Sequence, residues 1–239
     1  MKTAKQSGYL FIISSILVFI PYTILTIIFD YPVILRNDPG IILTRFHDGG
    51  SNLIMMWWLF AMVGFPLLIA YKMLGSLLEK EFPFVKWATT IGIISGIVQI
   101  VGLLRWVFVV PVLAENYITT SDAGVQESIK IIFLVVHHYG GVVLGEHLGQ
   151  LFTIVWMVAI CFALFKSVEF PKWISIFGFV TAGIYLLAQT ELFATVISGF
   201  PVIGWAGFVG STLWLFWMIA LGILLIRKSS HEKYERDEN

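Results

Sequence analysis

Six long apolar stretches restrict what this chain can fold into. They cover residues 9–29, 52–74, 88–114, 142–166, 173–195 and 205–227. Each has about the 20 residues that an α-helix needs to cross roughly 30 Å of hydrocarbon. Because a backbone in lipid must satisfy its own hydrogen bonds, apolar stretches of this length become helices. The sequence therefore predicts an all-α, polytopic membrane protein with six transmembrane helices.

The composition indicates that the main partner of the chain is a lipid bilayer. Hydrophobic residues are 58% of the 239 residues and charged residues only 13%, against roughly a quarter charged in a soluble domain. We expect one transmembrane helical domain over residues 1–228 and a charged cytoplasmic tail over residues 229–239. The formal net charge is zero, and no basic cluster precedes the tail, which excludes a nucleic-acid-binding protein.

The positions of lysine and arginine predict the orientation. Segments on the side of both termini hold eleven of these residues, whereas the opposite side holds three, Arg36, Arg45 and Lys130. Positively charged residues are concentrated on the cytoplasmic side of a membrane. Both termini are therefore predicted to be cytoplasmic.

Two segments between the spans need interpretation. Residues 30–51 contain Pro, Gly and Asp, and we expect a loop with at most one short interfacial helix. Residues 128–166 would form a helix of about 58 Å, nearly twice the hydrocarbon thickness. Glycine is a poor helix former, so we expect an outer interfacial helix at about 122–139, a break at Gly140–Gly141, and the fourth span after it.

Three charged side chains lie away from the ends of the predicted spans, namely Arg105, Glu146 and Glu191. A charge in hydrocarbon costs several kcal/mol and needs a partner or a water-filled cavity. The helical rise places all three in the outer half of the bilayer. We expect Arg105 to pair with one or both carboxylates. Such a layer either holds a ligand in a cavity open to the outside or serves only to fix helix packing.

The histidines before the fourth span suggest a metal site as an alternative. His137 and His138 precede the glycine pair, and His147 follows Glu146 directly. Neutral imidazoles with a carboxylate suit a divalent metal such as zinc, or a non-haem iron. On a straight helix His138 and His147 would lie about 180° apart, so a metal bound by His137, His138, Glu146 and His147 requires a bend. The His-Glu-x-x-His spacing of zinc proteases is absent from the sequence.

Small and amide residues surround these groups. Gln150 lies one turn after Glu146 and either extends the polar layer or bonds a neighbouring helix. Gly141, Gly145 and Gly149 recur at every fourth position. Such a stripe lets another helix approach closely. A tight contact of the fourth span with the third would draw Glu146 towards Arg105.

Three motifs resemble the signatures of a bacterial integral-membrane family classed as a domain of unknown function. They are Leu103-Leu104-Arg105-Trp106, Val110-Pro111-Val112-Leu113-Ala114, and His138-Tyr139 running into Gly145-Glu146-His147-Leu148-Gly149. The likeness extends from the first span to the sixth. It implies a six-helix protein of the bacterial plasma membrane, but neither an activity nor catalytic residues.

Three function classes remain open, and we favour the first narrowly. It is a protein that binds, or also transports, a small solute, an ion or a lipid head group. Its candidate binding residues are Arg105, Glu146, His147, Glu191, His138 and Gln150. The second class is an intramembrane metal-dependent hydrolase with Glu146 as general base, and the third is a structural or sensory membrane partner. The sequence determines neither the ligand nor the oligomeric state.

Overall fold

The computed structural model describes the backbone of residues 2–237 and the side chains of residues 3–229. In this part of the chain there is no strand. A 3-10 helix covers Val33–Arg36, and a π-helical segment covers His137–Leu148. The α-helices are α1 (Lys2–Phe29), α2 (Pro39–Met62), α3 (Phe65–Leu78), α4 (Val85–Phe108), α5 (Val110–Thr119), α6 (Ala123–Val136), α7 (Gly149–Lys166), α8 (Lys172–Leu187), α9 (Gln189–Ala194) and α10 (Ala206–Asp237). Tail side chains beyond residue 229 lie outside the described residues.

Six helical stretches of the described chain are long and apolar enough to cross a membrane. They are Thr3–Phe29, Pro39–Leu78, Val85–Thr119, Ala123–Lys166, Lys172–Ala194 and Ala206–Ser229. In the first, only 28% of the apolar window is buried, so most of it faces outward, as expected for helices in contact with lipid tails. The predicted all-α, six-span architecture of a multi-pass membrane protein is confirmed.

The segment 30–51, which we expected to be largely a loop, is mostly helical. After the 3-10 helix, α2 begins at Pro39, and the side chain of Asp38 accepts a hydrogen bond from the Gly40 N–H at 2.8 Å. Asp as N-cap followed by Pro in the first turn is a favourable helix start. The helical geometry is interrupted at Gly50, whose φ is +55°. We did not expect this helix, because the prediction considered the helix-breaking residues of the segment and not the N-cap at Asp38.

The third span also differs from its expected course. It consists of α4 and α5, which meet at Val109. Pro111 explains the division, because proline has no N–H and cannot bond the carbonyl four residues earlier. Helix α5 continues to Thr119, beyond the end at residue 114 that we expected.

The glycine pair does not interrupt the fourth helical stretch. Gly140 and Gly141 both lie inside the π-helical segment, in which each N–H bonds the carbonyl five residues earlier. Helix α6 precedes this segment, as expected, and α7 follows it. The location of α6 at the membrane interface stays a prediction.

The chain divides into two compact units. Unit 1 comprises Met1–Ile16, Phe65–Ile97 and His147–Asn239, and unit 2 comprises Leu17–Gly64 and Val98–Glu146. The single domain that we expected over residues 1–228 stays a prediction.

Unit 1 contains α7, α8 and α10, with α8 in contact with both of the others. Its core contains a run of fully or almost fully buried aromatic side chains. The Tyr71 and Trp156 ring centroids are 3.9 Å apart, and those of Trp156 and Trp217 are 5.8 Å apart. The Trp217 indole N–H donates to the Ile174 carbonyl at 2.9 Å, which ties α10 to α8.

Unit 2 is built on α2, α5 and α6, which contact one another. Its core is also aromatic. Trp57 and Trp106 stack with ring centroids 4.9 Å apart and an interplanar angle of 12°. Phe46 stacks on Trp106 at 5.5 Å, and Phe133 meets Trp106 at 6.2 Å. This cluster surrounds the C-terminal half of α4, where Arg105 lies.

Candidate functional site

Arg105 is a buried charge in unit 2. It lies on α4 with only 8% of its surface exposed. Its Nη1 donates to the Gly102 carbonyl one turn earlier on the same helix. The guanidinium carbon is 5.1 Å from the centroid of the Trp106 ring, within the range of a cation–π contact. The helix and the aromatic core thus hold the side chain in place.

The glycine pair of the π-helical segment makes room for this arginine. A Cβ added to Gly141 would lie 2.5 Å from Nη2 and 2.8 Å from Cζ of Arg105. One added to Gly140 would lie 3.3 Å from the Arg105 Cδ. The guanidinium therefore lies against bare backbone, and a larger residue at position 141 would displace it.

A third glycine lets α4 itself approach the π-helical segment. A Cβ on Gly102 would lie 2.6 Å from the Gly140 carbonyl oxygen and 2.9 Å from the Gly145 Cα. The third span therefore contacts the glycine stripe at Gly145. Arg105 follows Gly102 by three residues, so the same contact brings the guanidinium onto Gly141.

The expected ion pair between Arg105 and Glu146 is not formed. The carboxylate of Glu146 instead pairs with Arg36, whose Nη2 is 3.1 Å from Glu146 Oε2. Among the described residues no carboxylate lies within 4.0 Å of the Arg105 guanidinium. Its Nε is buried and has no hydrogen-bond acceptor in the described chain. The prediction failed because Arg36 lies outside the predicted spans, in a segment interpreted as a loop.

His137 is a second buried polar group in unit 2. It is 4% exposed and stacks on Phe133 with ring centroids 5.4 Å apart. It also meets Trp106 edge-on at 6.2 Å. Neither of its ring nitrogens has a hydrogen-bond partner among the described residues. His138 follows it with its ring 6.2 Å away.

The remaining candidates belong to unit 1. His147 Nδ1 is 2.6 Å from Oε1 of Gln189, and the Gln189 amide donates to Gln150 Oε1 at 2.7 Å. These three side chains form one hydrogen-bonded chain that joins α9 to the end of the π-helical segment and the start of α7. Glu191 lies on α9 two residues after Gln189.

Comparison with known proteins gives one match. The model of the DUF4386 family, described as a domain of unknown function, matches residues 7–222. The chain belongs to this family. No curated protein and no solved structure matches it. The match contains Arg105, Glu146 and the whole π-helical segment of this DUF4386 protein, and it confirms the resemblance carried by the three sequence motifs.

The geometry of the DUF4386 protein does not support the metal hypothesis. Among its described residues, no group of three or more His, Cys, Asp or Glu side chains is placed to hold a metal ion. His137, His138 and Glu146 belong to unit 2 and His147 to unit 1. A divalent metal at these residues stays a prediction.

Sequence reasoning missed the pairing of Arg36 with Glu146 and the contact of Arg105 with the Trp106 indole. Arg36 was treated as a charge outside the membrane, although the Asp38–Pro39 helix start showed that the segment was ordered. Trp106 is adjacent to Arg105 in sequence, which is the one signal that could have indicated an aromatic contact. No local pattern connects Trp57 to Trp106, because that stacking contact depends on how α2 packs.

Proposed function

We propose that this DUF4386 protein binds a small anion at Arg105. One observation carries the proposal: a guanidinium that is 8% exposed has no carboxylate within 4.0 Å and an Nε without an acceptor in the described chain. Arginine stays protonated at any physiological pH. The positive charge is therefore present, and no carboxylate of the described residues pairs with it directly.

A buried charge without a partner is costly. Removing one member of a buried ion pair typically destabilises a protein by about 3–5 kcal/mol, because the other charge stays behind. The aromatic cluster around Arg105 offers no carboxylate, and its cation–π contact compensates only part of the desolvation. An anion entering from outside supplies the missing charge. The planar guanidinium suits oxyanions, which it can bind through two parallel hydrogen bonds.

The side of the membrane from which the anion enters is inferred from the positions of lysine and arginine in the sequence. With both termini in the cytoplasm, Arg105 lies in the outer half of a bacterial plasma membrane, and the anion reaches it from the outer side. His138 belongs to the same unit as Arg105 and is proposed as a further contact of the anion. Glu146 belongs to that unit too, but its carboxylate would repel an anion, and it is proposed to hold Arg36 in place. His147, Gln150 and Glu191 belong to unit 1, and a part for them in binding stays a prediction.

Calorimetry with simple anions tests the proposal. The purified full-length chain in detergent is titrated with sodium nitrate, sulfate, bicarbonate and hydrogen phosphate at matched ionic strength. We expect at least one anion to bind, and Arg105→Gln to weaken that binding by roughly tenfold or more, since a charge-assisted hydrogen bond contributes about 1.5–3 kcal/mol.

Two further variants make the result interpretable. Arg45→Gln is the matched control, because Arg45 is about half exposed and pairs with Asp30, and its affinity should equal that of the wild type. Arg105→Lys keeps the charge but not the planar fork, and it serves if Arg105→Gln does not fold. The proposal is wrong if none of the four anions binds, or if the Arg105 variants bind as tightly as the wild type.

A further inference from the structure

Three lysines of unit 1 lie at the ends of membrane-spanning stretches. Lys166 is the last residue of the stretch that contains α7, Lys172 is the first residue of the next stretch, and Lys228 is next to the last residue of the stretch in α10. Helix α8 packs against both α7 and α10. The three ammonium groups therefore lie at one end of this helix packing, where the apolar helices leave the hydrocarbon.

Lys166 and Lys172 lie over two aromatic rings on the exposed face of α7. Lys166 Nζ is 4.7 Å from the centroid of the Phe162 ring, and Lys172 Nζ is 4.9 Å from that of Phe165. Phe162 and Phe165 are 49% and 43% exposed. They are three residues apart on α7, so they lie on the same face of the helix. On a membrane-spanning helix such an exposed apolar face contacts lipid tails, and the two ammonium groups lie directly beside it.

The charge at these two lysines is positive because the acidic residue of the connection between α7 and α8 has another partner. The carboxylate of Glu169 pairs with Lys228. Among the described residues no carboxylate lies within 4.0 Å of the Lys166 or Lys172 ammonium group. Lys172 donates one hydrogen bond to the Phe165 carbonyl, and an ammonium group has three donors. Both lysines therefore retain N–H groups for an anion at the membrane surface.

We propose that Lys166 and Lys172 bind the head group of an anionic phospholipid. Its phosphate accepts hydrogen bonds from the two ammonium groups, and its acyl chains lie along Phe162 and Phe165. Lysine binds phosphate as a point charge, and anionic lipids attract basic residues near the membrane surface. With the predicted orientation, this lipid belongs to the cytoplasmic leaflet. The proposal does not depend on the anion site at Arg105, which lies in unit 2.

The connection between α3 and α4 gives the contrast for this surface. It lies on the same predicted side of the membrane and contains Lys80, but Glu79 and Glu81 flank that lysine in sequence. Neighbouring carboxylates repel a phosphate. A lysine on the cytoplasmic side is therefore not sufficient for a lipid site, and the pair at α7 and α8 is distinguished by its uncompensated charge beside exposed rings.

Native mass spectrometry with a lipid titration tests the proposal. The purified full-length protein in a non-ionic detergent is titrated at neutral pH with phosphatidylglycerol or phosphatidylethanolamine that carry identical acyl chains. Both lipids contain a phosphate, but only phosphatidylglycerol has a net negative charge. We expect phosphatidylglycerol to bind roughly tenfold or more tightly, since each lysine near an anionic surface contributes roughly fivefold. In the double variant Lys166→Gln, Lys172→Gln its affinity should fall to that of phosphatidylethanolamine.

A matched double variant and a soluble competitor complete the experiment. Lys72→Gln, Lys80→Gln removes the same charge from two exposed lysines of α3 and the turn after it, and it should keep the lipid preference. Glycerol phosphate is added at the concentration of the lipid. We expect it not to displace phosphatidylglycerol, because it has no acyl chains to lie along Phe162 and Phe165.

Each other outcome overturns a stated part of the proposal. Equal affinity of the wild type for the two lipids means that the surface does not select a negative charge. A preference that persists in Lys166→Gln, Lys172→Gln places the lipid elsewhere, and an equal loss in the control variant assigns it to surface charge in general. Displacement by glycerol phosphate shows that the occupant is a free phosphate. The comparison of the two lipids uses the wild-type protein, so it does not depend on the folding of any variant.

Discussion

Arg36 Nη2 lies 3.1 Å from Glu146 Oε2, although the two residues are 110 positions apart in the chain. Arg36 ends the 3-10 helix, and Glu146 lies near the end of the π-helical segment. Their side chains are 32% and 23% exposed, so the pair is neither fully solvated nor fully buried. It engages the carboxylate that we expected to pair with Arg105, and no other carboxylate of the described residues lies within 4.0 Å of that guanidinium.

Breaking the Arg36–Glu146 pair should have a moderate effect on stability. In a double-mutant cycle of Arg36→Gln and Glu146→Gln, we expect a coupling energy of about 0.5–1.5 kcal/mol, above that of a fully exposed pair. Thermal unfolding in detergent gives the four values that the cycle needs. The same cycle on Arg45 and Asp30, which are 53% and 60% exposed, should give a smaller coupling. A larger coupling at Arg45–Asp30 would contradict this order.

Gly141→Ala should displace the Arg105 guanidinium. The new Cβ would lie 2.5 Å from Nη2, which is too close for any real contact, and overpacking of this kind costs about 1–3 kcal/mol. We expect a lower free energy of unfolding and weaker anion binding in the same variant. Gly183→Ala is the control, since a Cβ there meets nothing within 4 Å. It should be neutral or stabilising, because alanine favours a helix by about 0.5–1 kcal/mol over glycine.

His137→Phe should not destabilise the anion-free protein. Neither imidazole nitrogen has a partner in the described chain, so the substitution removes a buried unsatisfied group and keeps the stack on Phe133. Replacing such a group by an apolar one of similar shape is nearly neutral or stabilising. Chemical denaturation of the protein in anion-free buffer measures this. A loss of more than about 2 kcal/mol would mean that the imidazole makes hydrogen bonds within the anion-free protein.

His147 should carry its proton on Nδ1 when neutral. The Gln189 amide donates to Gln150 Oε1, and this leaves the Gln189 oxygen, 2.6 Å from His147 Nδ1, as the acceptor. Nitrogen-15 chemical shifts of the labelled imidazole distinguish the two tautomers. Gln189→Leu should remove the preference and cost about 1 kcal/mol, because the half-buried His147 and Gln150 side chains lose a hydrogen-bond partner. A predominant Nε2–H tautomer in the wild type would show that the glutamine amide is turned the other way.

The sequence determined the secondary structure class and the six spans. Runs of about 20 apolar residues form α-helices in lipid, because the backbone has no water to bond and must satisfy its hydrogen bonds within the helix. The glycine stripe also predicted a close helix contact, since Gly141 and Gly145 offer no side chain to hold a neighbour away. The Asp38–Pro39 start of α2 was equally available in the sequence and was overlooked.

Tertiary structure alone decided the partners of the charged residues. Depth in the membrane follows from position along a helix, so Arg105 and Glu146 could be placed at similar levels from the sequence. Which groups touch depends on helix rotation and on segments outside the spans, and no local pattern records either. Arg36 reaches Glu146 from a 3-10 helix, and the backbone at Gly141 receives Arg105 because α4 packs there through Gly102. The pairing of charged groups depends on residues far apart in the chain. In the described chain it leaves Arg105 Nε and both His137 nitrogens buried without a hydrogen-bond partner.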